Sequence, residues 1–321
     1  PSSRIMVDST HHFNILFSSL SAKIALFESV RKEVESISSK IKVLGADSNS
    51  SCHGSQKIKH FVRMPPISEL NQESLFNFCQ KHKIQFVIPT RDSELLFWAE
   101  HQAFLSNKKI GVMVSNKSAI QICEDKYSFA SHFKNSSIPA IQTSLCSSSI
   151  FSDYDHFVVK ERMGSASSSI GLNLKPEDLI PHSKKLKEPI FQPQIEGREF
   201  SAEAWIDKKG KCSGVLLRWR IEVIDGESHK SVTFKNSDWE NRLKLTFKKI
   251  PGLKGHILAQ VIVDQNEDLH LIEINPRLGG ASPLALASGL HSVKWSILEF
   301  LGLSNQIPNM PNLKMGLQLI K

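Results

Sequence analysis

Glu273 and Asn275 close the run Leu269-His270-Leu271-Ile272-Glu273-Ile274-Asn275, which alternates apolar and polar residues and breaks at Pro276. Alternation with that period marks a strand, on which residues two apart leave the same face. A carboxylate and an amide oxygen side by side are hard ligands of the kind Mg²⁺ selects. Arg277 follows where the strand ends, placed to meet a phosphate oxygen beside such a metal. Taken alone, this Glu-x-Asn reads more often as a polar strand edge followed by a turn. Its meaning therefore depends on the rest of the chain.

A second stretch with chemistry in it is Lys160-Glu161-Arg162-Met163-Gly164-Ser165-Ala166-Ser167-Ser168-Ser169-Ile170-Gly171. Small side chains let backbone N–H groups close over phosphates, and Lys160 supplies a point charge. A flexible hairpin loop has the same composition. The lysine precedes the glycines, so this is not a G-x-x-x-x-G-K-[ST] loop. Arg218 and Arg220 share one face of a strand expected over 214–220. They form a candidate anion clamp, or else exposed strand charge with cross-strand partners. Arg91, Asp92 and Glu94 follow an apolar strand expected at 85–90. Open α/β sheets take ligands at such strand ends, although acidic residues there also suit a helix N-terminus.

The elements that must position these residues follow from periodicity. A strand is expected at 4–7, then an amphipathic helix of about six turns from Phe13 to Ile37, then a strand at 41–47. The turn after the first strand, Asp8-Ser9-Thr10-His11-His12, has no glycine, which excludes the close backbone approach of a dinucleotide pyrophosphate. Further strands at 61–65, 85–90 and 111–114 alternate with helical stretches, so residues 1–114 read as a doubly wound domain with a parallel sheet. A helix is expected over 117–133. Strands at 157–160, 189–195 and 200–206 come next, then a strand at 214–220. A hairpin follows through Asp225-Gly226, then a helix over 239–249. A strand at 255–263 turns through 264–268 into the Glu273 strand, and a last helix spans 293–301.

The bulk numbers set outer bounds. A chain of 321 residues, 40% hydrophobic and 22% charged, has the make-up of a soluble globular protein with two or three domains. No apolar run approaches the ~18–20 residues of a membrane span. The start at Pro1, without signal-peptide architecture, suggests a trimmed chain and a cytoplasmic protein. Five cysteines with no C-x-x-C pair argue for free thiols and against structural zinc. The formal charge of +8 is spread over lysine pairs rather than one block with interleaved aromatics, so no nucleic-acid partner is expected.

With these pieces in order, the chain resembles an ATP-grasp enzyme of the carbamoyl-phosphate synthetase large-subunit-like and carboxylate–amine ligase group. Glu273-Ile274-Asn275-Pro276-Arg277 and Ala281-Ser282-Pro283-Leu284-Ala285-Leu286-Ala287-Ser288-Gly289 carry the resemblance most specifically. It implies a mixed α/β and α+β fold in three parts. These are an N-terminal doubly wound parallel-sheet domain (1–114), a small lid (115–190) and a C-terminal antiparallel-sheet subdomain (191–321). It implies ATP and Mg²⁺, with Mn²⁺ as an alternative ion. Lys126 and Lys160 would meet the phosphates under a flap formed by 164–171, including Gly164, Ser165 and Ser168. Gln192, Gln194 and Ile195 would form the adenine hinge, and Glu199 would hold the ribose hydroxyls. Gln260, Glu273 and Asn275 would bind metal. Arg277, with Arg220 and Arg218, would neutralise the transferring phosphoryl group. The implied activity is an ADP-forming ligase that activates a small-molecule carboxylate as an acyl phosphate for attack by an amine. The alternative is a non-catalytic or regulatory ATP-binding subunit. A homodimer is the assembly common among the enzymes it resembles.

Overall fold

The computed structural model describes residues 12–147, 152–164, 169–224 and 226–321. The N-terminal part runs β1 (Asn14–Phe17), α1 (Ile24–Glu35), β2 (Lys42–Asp47), β3 (Phe61–Arg63), α2 (Gln72–Lys81), β4 (Ile84–Ile88), α3 (Asp92–Asn107) and β5 (Gly111–Val112). Its strands form a parallel sheet in the order β3-β2-β1-β4-β5. Two helices follow, α4 (Lys117–Glu124) and α5 (Lys126–His132). A small sheet comes next, built from β6 (Phe157–Glu161), β7 (Gly171–Leu174) and, after α6 (Leu179–Ser183), β8 (Pro189–Pro193). Its order is β7-β6-β8.

The rest of the chain is β9 (Gly197–Ile206), β10 (Cys212–Ile224), β11 (Glu227–Phe234), α7 (Ser237–Phe247), β12 (Gly255–Asp264), β13 (Leu269–Asn275), α8 (Ser282–Ala287), α9 (Ser292–Phe300) and β14 (Gln318–Ile320). These strands make an antiparallel sheet in the order β13-β12-β9-β10-β11-β14. Gly197 opens β9 because the backbones meet closely there: a Cβ would lie 2.1 Å from the Val263 carbonyl oxygen.

The beginning of the chain differs from the sequence expectation. The strand expected at 4–7, and the turn after it up to residue 11, lie outside the described residues. The first described strand, β1, falls inside the stretch whose spacing predicts a helix from 13 to 37, and helix α1 starts only at Ile24. Ile15, Leu16 and Phe17 are fully buried, because a central strand of a parallel sheet is covered on both faces. Such a strand reads as an unbroken apolar run, which spacing alone does not separate from a helix. The turn after β1 is Ser18 to Lys23, again without glycine, and Ser19 and Ser21 adopt φ of 53° and 48°.

The helix expected over 117–133 is also broken. Asp125 ends α4 and caps α5, its side chain accepting from the Tyr127 and Ser128 N–H groups. That is a favoured place for aspartate and a poor one for continuing a helix.

Two faces of the antiparallel sheet are sorted by register. Phe200, Ala202, Ala204, Val215, Leu217, Ile257, Ala259 and Val261 pack against α4, α5 and α7 in one apolar core. On the opposite face the pairing aligns Glu273, Gln260, Ser201, Arg218 and Thr233 in one row across the strands. Beyond this row Trp205 and Leu216 pack with Leu278, Leu286 and Trp295. They share that core with Phe17, Phe27 and Val30 of the N-terminal part. The small sheet has a core of its own in Phe157, Val159, Leu179 and Phe191.

A buried polar network lies under the row. The Arg218 Nε–H donates to Glu203 Oε2 at 2.7 Å, and its Nη1 donates to Ser231 Oγ at 3.3 Å. Glu203 Oε1 accepts from His256 Nε2 at 3.0 Å and from the Ser282 hydroxyl. Ser282 Oγ in turn accepts the Gly279 N–H at 2.8 Å. His256 Nδ1 lies 2.7 Å from Ser292 Oγ. The network thus fixes the loop after β13 and the starts of α8 and α9 onto the sheet. Burial alone would push the Glu203 carboxyl up, but Arg218, His256 and Ser282 together hold it well below the usual carboxylate range.

A carboxyl depressed in the folded state contributes stability that is fully present above its unfolded pKa of ~4.3 and is lost as pH falls below that. We therefore expect Glu203→Gln to cost about 3 kcal/mol in urea unfolding at neutral pH, since it leaves the Arg218 charge buried without its counter-ion. Most of that loss should return in the double variant Glu203→Gln/Arg218→Met. A fully additive double variant would show that the two side chains are not coupled.

Candidate functional site

Lys126, Lys160, Glu199, Gln260, Glu273 and Asn275 are brought together between the small sheet and the polar row of the large one. Lys160 on β6 is buried, at 6% exposure. Burial lowers its ammonium pKa from the usual 10.5 to about 8; the Glu273 and Glu199 carboxylates favour its charge and Lys126 opposes it. The side chain thus spans from the small sheet to carboxylates carried by β13 and β9.

Lys126 begins α5, where the Asp125 cap sets its direction. Its Nζ donates to the Gly164 carbonyl at 2.7 Å and to the Arg162 carbonyl at 3.4 Å. Burial lowers its pKa too, against the raising influence of Glu273 and Asp92. The root of the 164–171 loop is fixed by a second contact, since Arg162 forks onto Asp125 through Nε (2.8 Å) and Nη2 (2.7 Å). That pair holds the Asp125 carboxyl far down, against its burial. Ser165 and Ser168, also expected to bind phosphate, lie outside the described residues.

Gln260 and Glu273 are direct cross-strand partners on β12 and β13. Asn275 lies on the same face and its Nδ2 donates to Glu273 Oε1 at 2.8 Å. One carboxylate and two amides therefore converge as the sequence spacing requires. Among the described residues no group of three or more His, Cys, Asp and Glu side chains could hold a metal ion. A divalent ion at this place would thus take much of its coordination from ligand oxygens, which is how Mg²⁺ is usually held beside phosphates.

Glu199 and Arg220 lie on adjacent strands, with the Arg220 Nε 3.2 Å from Glu199 Oε2. The angle is not that of a hydrogen bond, so this buried Nε–H has no hydrogen-bond partner among the described residues. Ser201 Oγ, between Gln260 and Arg218 in the row, is likewise buried without a partner. Unspent polar atoms facing a cleft are what an anionic, hydroxyl-bearing ligand would satisfy. Glu199 and Arg220 also line a groove of about 530 Å³ with Gly197, Arg198, Trp219, Ile221 and Val223.

At the connection between β8 and β9, the Gln194 N–H is used by the His156 carbonyl at 2.9 Å. The Ile195 N–H meets no acceptor among the described residues. Gln194 Oε1 accepts the Asn173 N–H, and buried Gln192 donates to Thr143 Oγ1 at 2.8 Å. The Gln192 side chain is therefore committed to bracing the connection.

Two arginines differ from the sequence expectation. Arg218 and Arg220 do share a face, but Arg218 is fully buried on Glu203, so the clamp narrows to Arg220. Arg277 reaches back 185 residues to fork onto Asp92 through Nε and Nη2, each at 2.5 Å, and donates Nη1 to the Leu278 carbonyl. Burial works against its charge, while Asp92 and Glu273 keep it firmly protonated. Asp92 thus proves to be the residue that orients Arg277. Nothing in local spacing signals a pair so distant in sequence. Glu94, the third residue noted there, turns inward to accept from Ser18 Oγ, Ser19 Oγ and the Thr90 N–H.

Comparison with known proteins places this geometry. A family profile described as an ATP-grasp domain matches residues 123–281, and one described as a PylC-like N-terminal domain matches residues 15–114. No curated protein sequence matches the chain. Among solved structures, biotin carboxylase from Campylobacter jejuni in a β-γ-ATP complex superposes with a TM-score of 0.72 at 13% identity, covering 93% of this chain and 73% of that one. N5-carboxyaminoimidazole synthetase from Staphylococcus aureus, complexed with ADP, gives 0.71 at 16% identity, with 94% and 80% covered. The biotin carboxylase domain dimer of Hydrogenobacter thermophilus 2-oxoglutarate carboxylase, solved with MgADP, ADP and bicarbonate, gives 0.71 at 14%, with 96% and 74% covered. At such identities the likeness shows the fold. Among the described residues no helix is long and apolar enough to cross a membrane. The parallel-sheet domain, the two antiparallel sheets and both profiles agree: the chain belongs to the ATP-grasp superfamily, with a PylC-like N-terminal domain ahead of its ATP-grasp domain.

Proposed function

We propose that the protein is an ADP-forming ATP-dependent ligase that activates a substrate carboxylate as an acyl phosphate, which an amine then attacks. The observation that carries this reading is the convergence of Lys160, Lys126, Glu273, Gln260 and Asn275 in one desolvated cleft between two antiparallel sheets. Division at 1–114, 115–190 and 191–321 belongs to the same reading, with the small sheet as lid, although β8 of that sheet runs on to Pro193 and α4 and α5 pack on the large sheet.

Each residue then has a defined task. Lys160 and Lys126 hold phosphate oxygens by charge-assisted hydrogen bonds. Glu199 accepts the ribose hydroxyls, and the open Ile195 N–H with the Gln194 carbonyl faces the adenine edge. Glu273, Asn275 and Gln260 hold Mg²⁺, which supplies charge neutralisation of the phosphates. Arg277, oriented by Asp92, keeps two of its five N–H donors for the oxygens of the reacting carboxylate. Arg220 offers a further cation beside Glu199. No side chain needs to become covalently attached: the work is positioning and neutralisation in a water-poor site. ATP and ADP appear in the named complexes of the similar structures, and bicarbonate in one of them. The small-molecule carboxylate and amine here, and a homodimeric assembly, are proposed on the same footing.

Replacing Glu273 by Ala should abolish ADP release over a panel of carboxylates and amines while circular dichroism and the unfolding midpoint stay near wild type. Undiminished ADP release would remove Glu273 from the site.

The lowered Lys160 pKa gives a second expectation. The cationic form binds phosphate, so Mg·ATP affinity should be flat below pH ~7.5 and fall as pH rises through about 8, approaching tenfold per unit. In Lys160→Arg the break should vanish, because guanidinium stays charged. Calorimetric titration at pH 6.5 to 9.5 reads both, and a pH-independent wild type would exclude a phosphate role for Lys160.

A further inference from the structure

The strand order of the N-terminal sheet reverses at β1, which has β2 on one side and β4 on the other. Crevices at such reversals, beyond the carboxyl ends of the strands, are where open α/β sheets take ligands. Here the carboxyl ends of those strands carry the turn Ser18 to Lys23 after β1, and Thr90 and Arg91 after β4, joined by the Lys23 to Thr90 contact. Ser19 and Ser21 hold left-handed backbone conformations that non-glycine residues avoid. Each is unfavourable for a residue with a Cβ and persists only where surrounding contacts enforce it.

Those contacts can be followed atom by atom. Glu94 is saturated, accepting from Ser18 Oγ (2.5 Å), Ser19 Oγ (2.5 Å) and the Thr90 N–H (2.8 Å). Asp47 accepts the Ser21 N–H (2.8 Å) and the Asn49 N–H (2.9 Å). Asp92 is taken by both arms of Arg277. These three carboxylates are therefore committed, and Glu227, which also acts on Lys23, is paired with Lys321. The cations are not. Lys23 Nζ donates to the Ser19 carbonyl at 2.7 Å and to Thr90 Oγ1 at 3.3 Å, both uncharged acceptors, which leaves its third N–H. Among the described residues neither Lys23 nor Arg91 has an ion-pair partner. Lys23 is largely buried, and burial with the nearby Arg91 and Arg277 charges lowers its pKa to about 8, against the pull of Glu94 and Asp47. Arg277 in turn lies within electrostatic reach of Glu273. Arg277, held on Asp92, is thus the charge common to this end of the sheet and to Glu273.

We propose that Lys23 and Arg91 seat a carboxylate that takes no part in the chemistry, carried by the substrate that docks against the N-terminal domain. The occupant is a small molecule with an anionic end held here and a reacting end at Arg277: a dicarboxylate, or an amino acid anchored by its α-carboxylate. This rests on the ligase reading above, and it adds the class of molecule that reading leaves open.

Lysine footprinting of the full chain separates the two. Acetic anhydride modification would be followed at Lys126 and Lys23 by mass spectrometry. Conditions would be no ligand, Mg²⁺ with a non-hydrolysable ATP analogue, and that complex plus acetate, succinate, glutamate or lysine, or the carboxamide of each. The nucleotide should protect Lys126 and leave Lys23 reactive. Succinate or an amino acid should then slow modification of Lys23, and the matching carboxamide should not. Arg91→Gln should raise the concentration needed by about tenfold or more. If Lys126 is protected but no carboxylate protects Lys23, or if carboxamides protect equally, the seat does not exist. Protection that is unchanged in Arg91→Gln also overturns it. Failure of the nucleotide to protect Lys126 would instead count against the ligase reading.

Discussion

A fully buried ammonium group needs anions within reach, and Lys160 finds them only across the cleft. It is carried by the small sheet, while Glu273 and Glu199 are carried by the large one. The desolvation cost of a lysine at that depth amounts to several kcal/mol unless compensated. The buried lysine of the small sheet is therefore coupled electrostatically to the carboxylates of the large one. Gln260, Asn275 and Arg220 depend on the same arrangement, since the register of the large sheet brings them to that face.

Much of this was readable from the chain. The Glu273 strand, its pairing with the Gln260 strand through a short turn, and the lysine ahead of the small-residue loop are all local patterns. Periodicity and turn chemistry report such patterns well. The failures share a cause in burial and distance. Strand β1 is covered on both faces, so its residues lose the alternation that would have identified it. With residues 13–37 spaced like one helix, nothing in the sequence singles out the turn after β1 or Lys23. Arg218 and Arg220 look equivalent on paper. The difference between them is set by Glu203 on the neighbouring strand, which sequence spacing does not reveal. The Arg277–Asp92 fork joins residues too far apart for any window to register.

The parts of the molecule are unequally fastened. The large sheet and the N-terminal sheet sit on extensive apolar clusters. The small sheet rests on Phe157, Val159, Leu179 and Phe191, with Leu174 and Leu186 at the margin. Regions with few buried contacts open at lower free energy than their surroundings. The Arg162–Asp125 fork and the Lys126 contact to Gly164 then stand out as the polar links between this sheet and α5. The small sheet thus has a smaller apolar core than its neighbours and is joined to α5 by a few directional contacts.

The core beneath Trp205 and Leu216 has a different consequence. Phe17, Phe27 and Val30 from the first forty residues share it with Leu286, Trp295 and Leu298 from the last forty. The two ends of the chain thus complete a single interior. A boundary near residue 114 divides the chain by topology but not by packing. The N-terminal domain is consequently not an exchangeable cassette: transplanted onto another ATP-grasp body, it would meet foreign side chains across the face that α8 and α9 now cover. A change of side-chain volume in α1 is therefore felt by α8 and α9, although more than two hundred residues separate them.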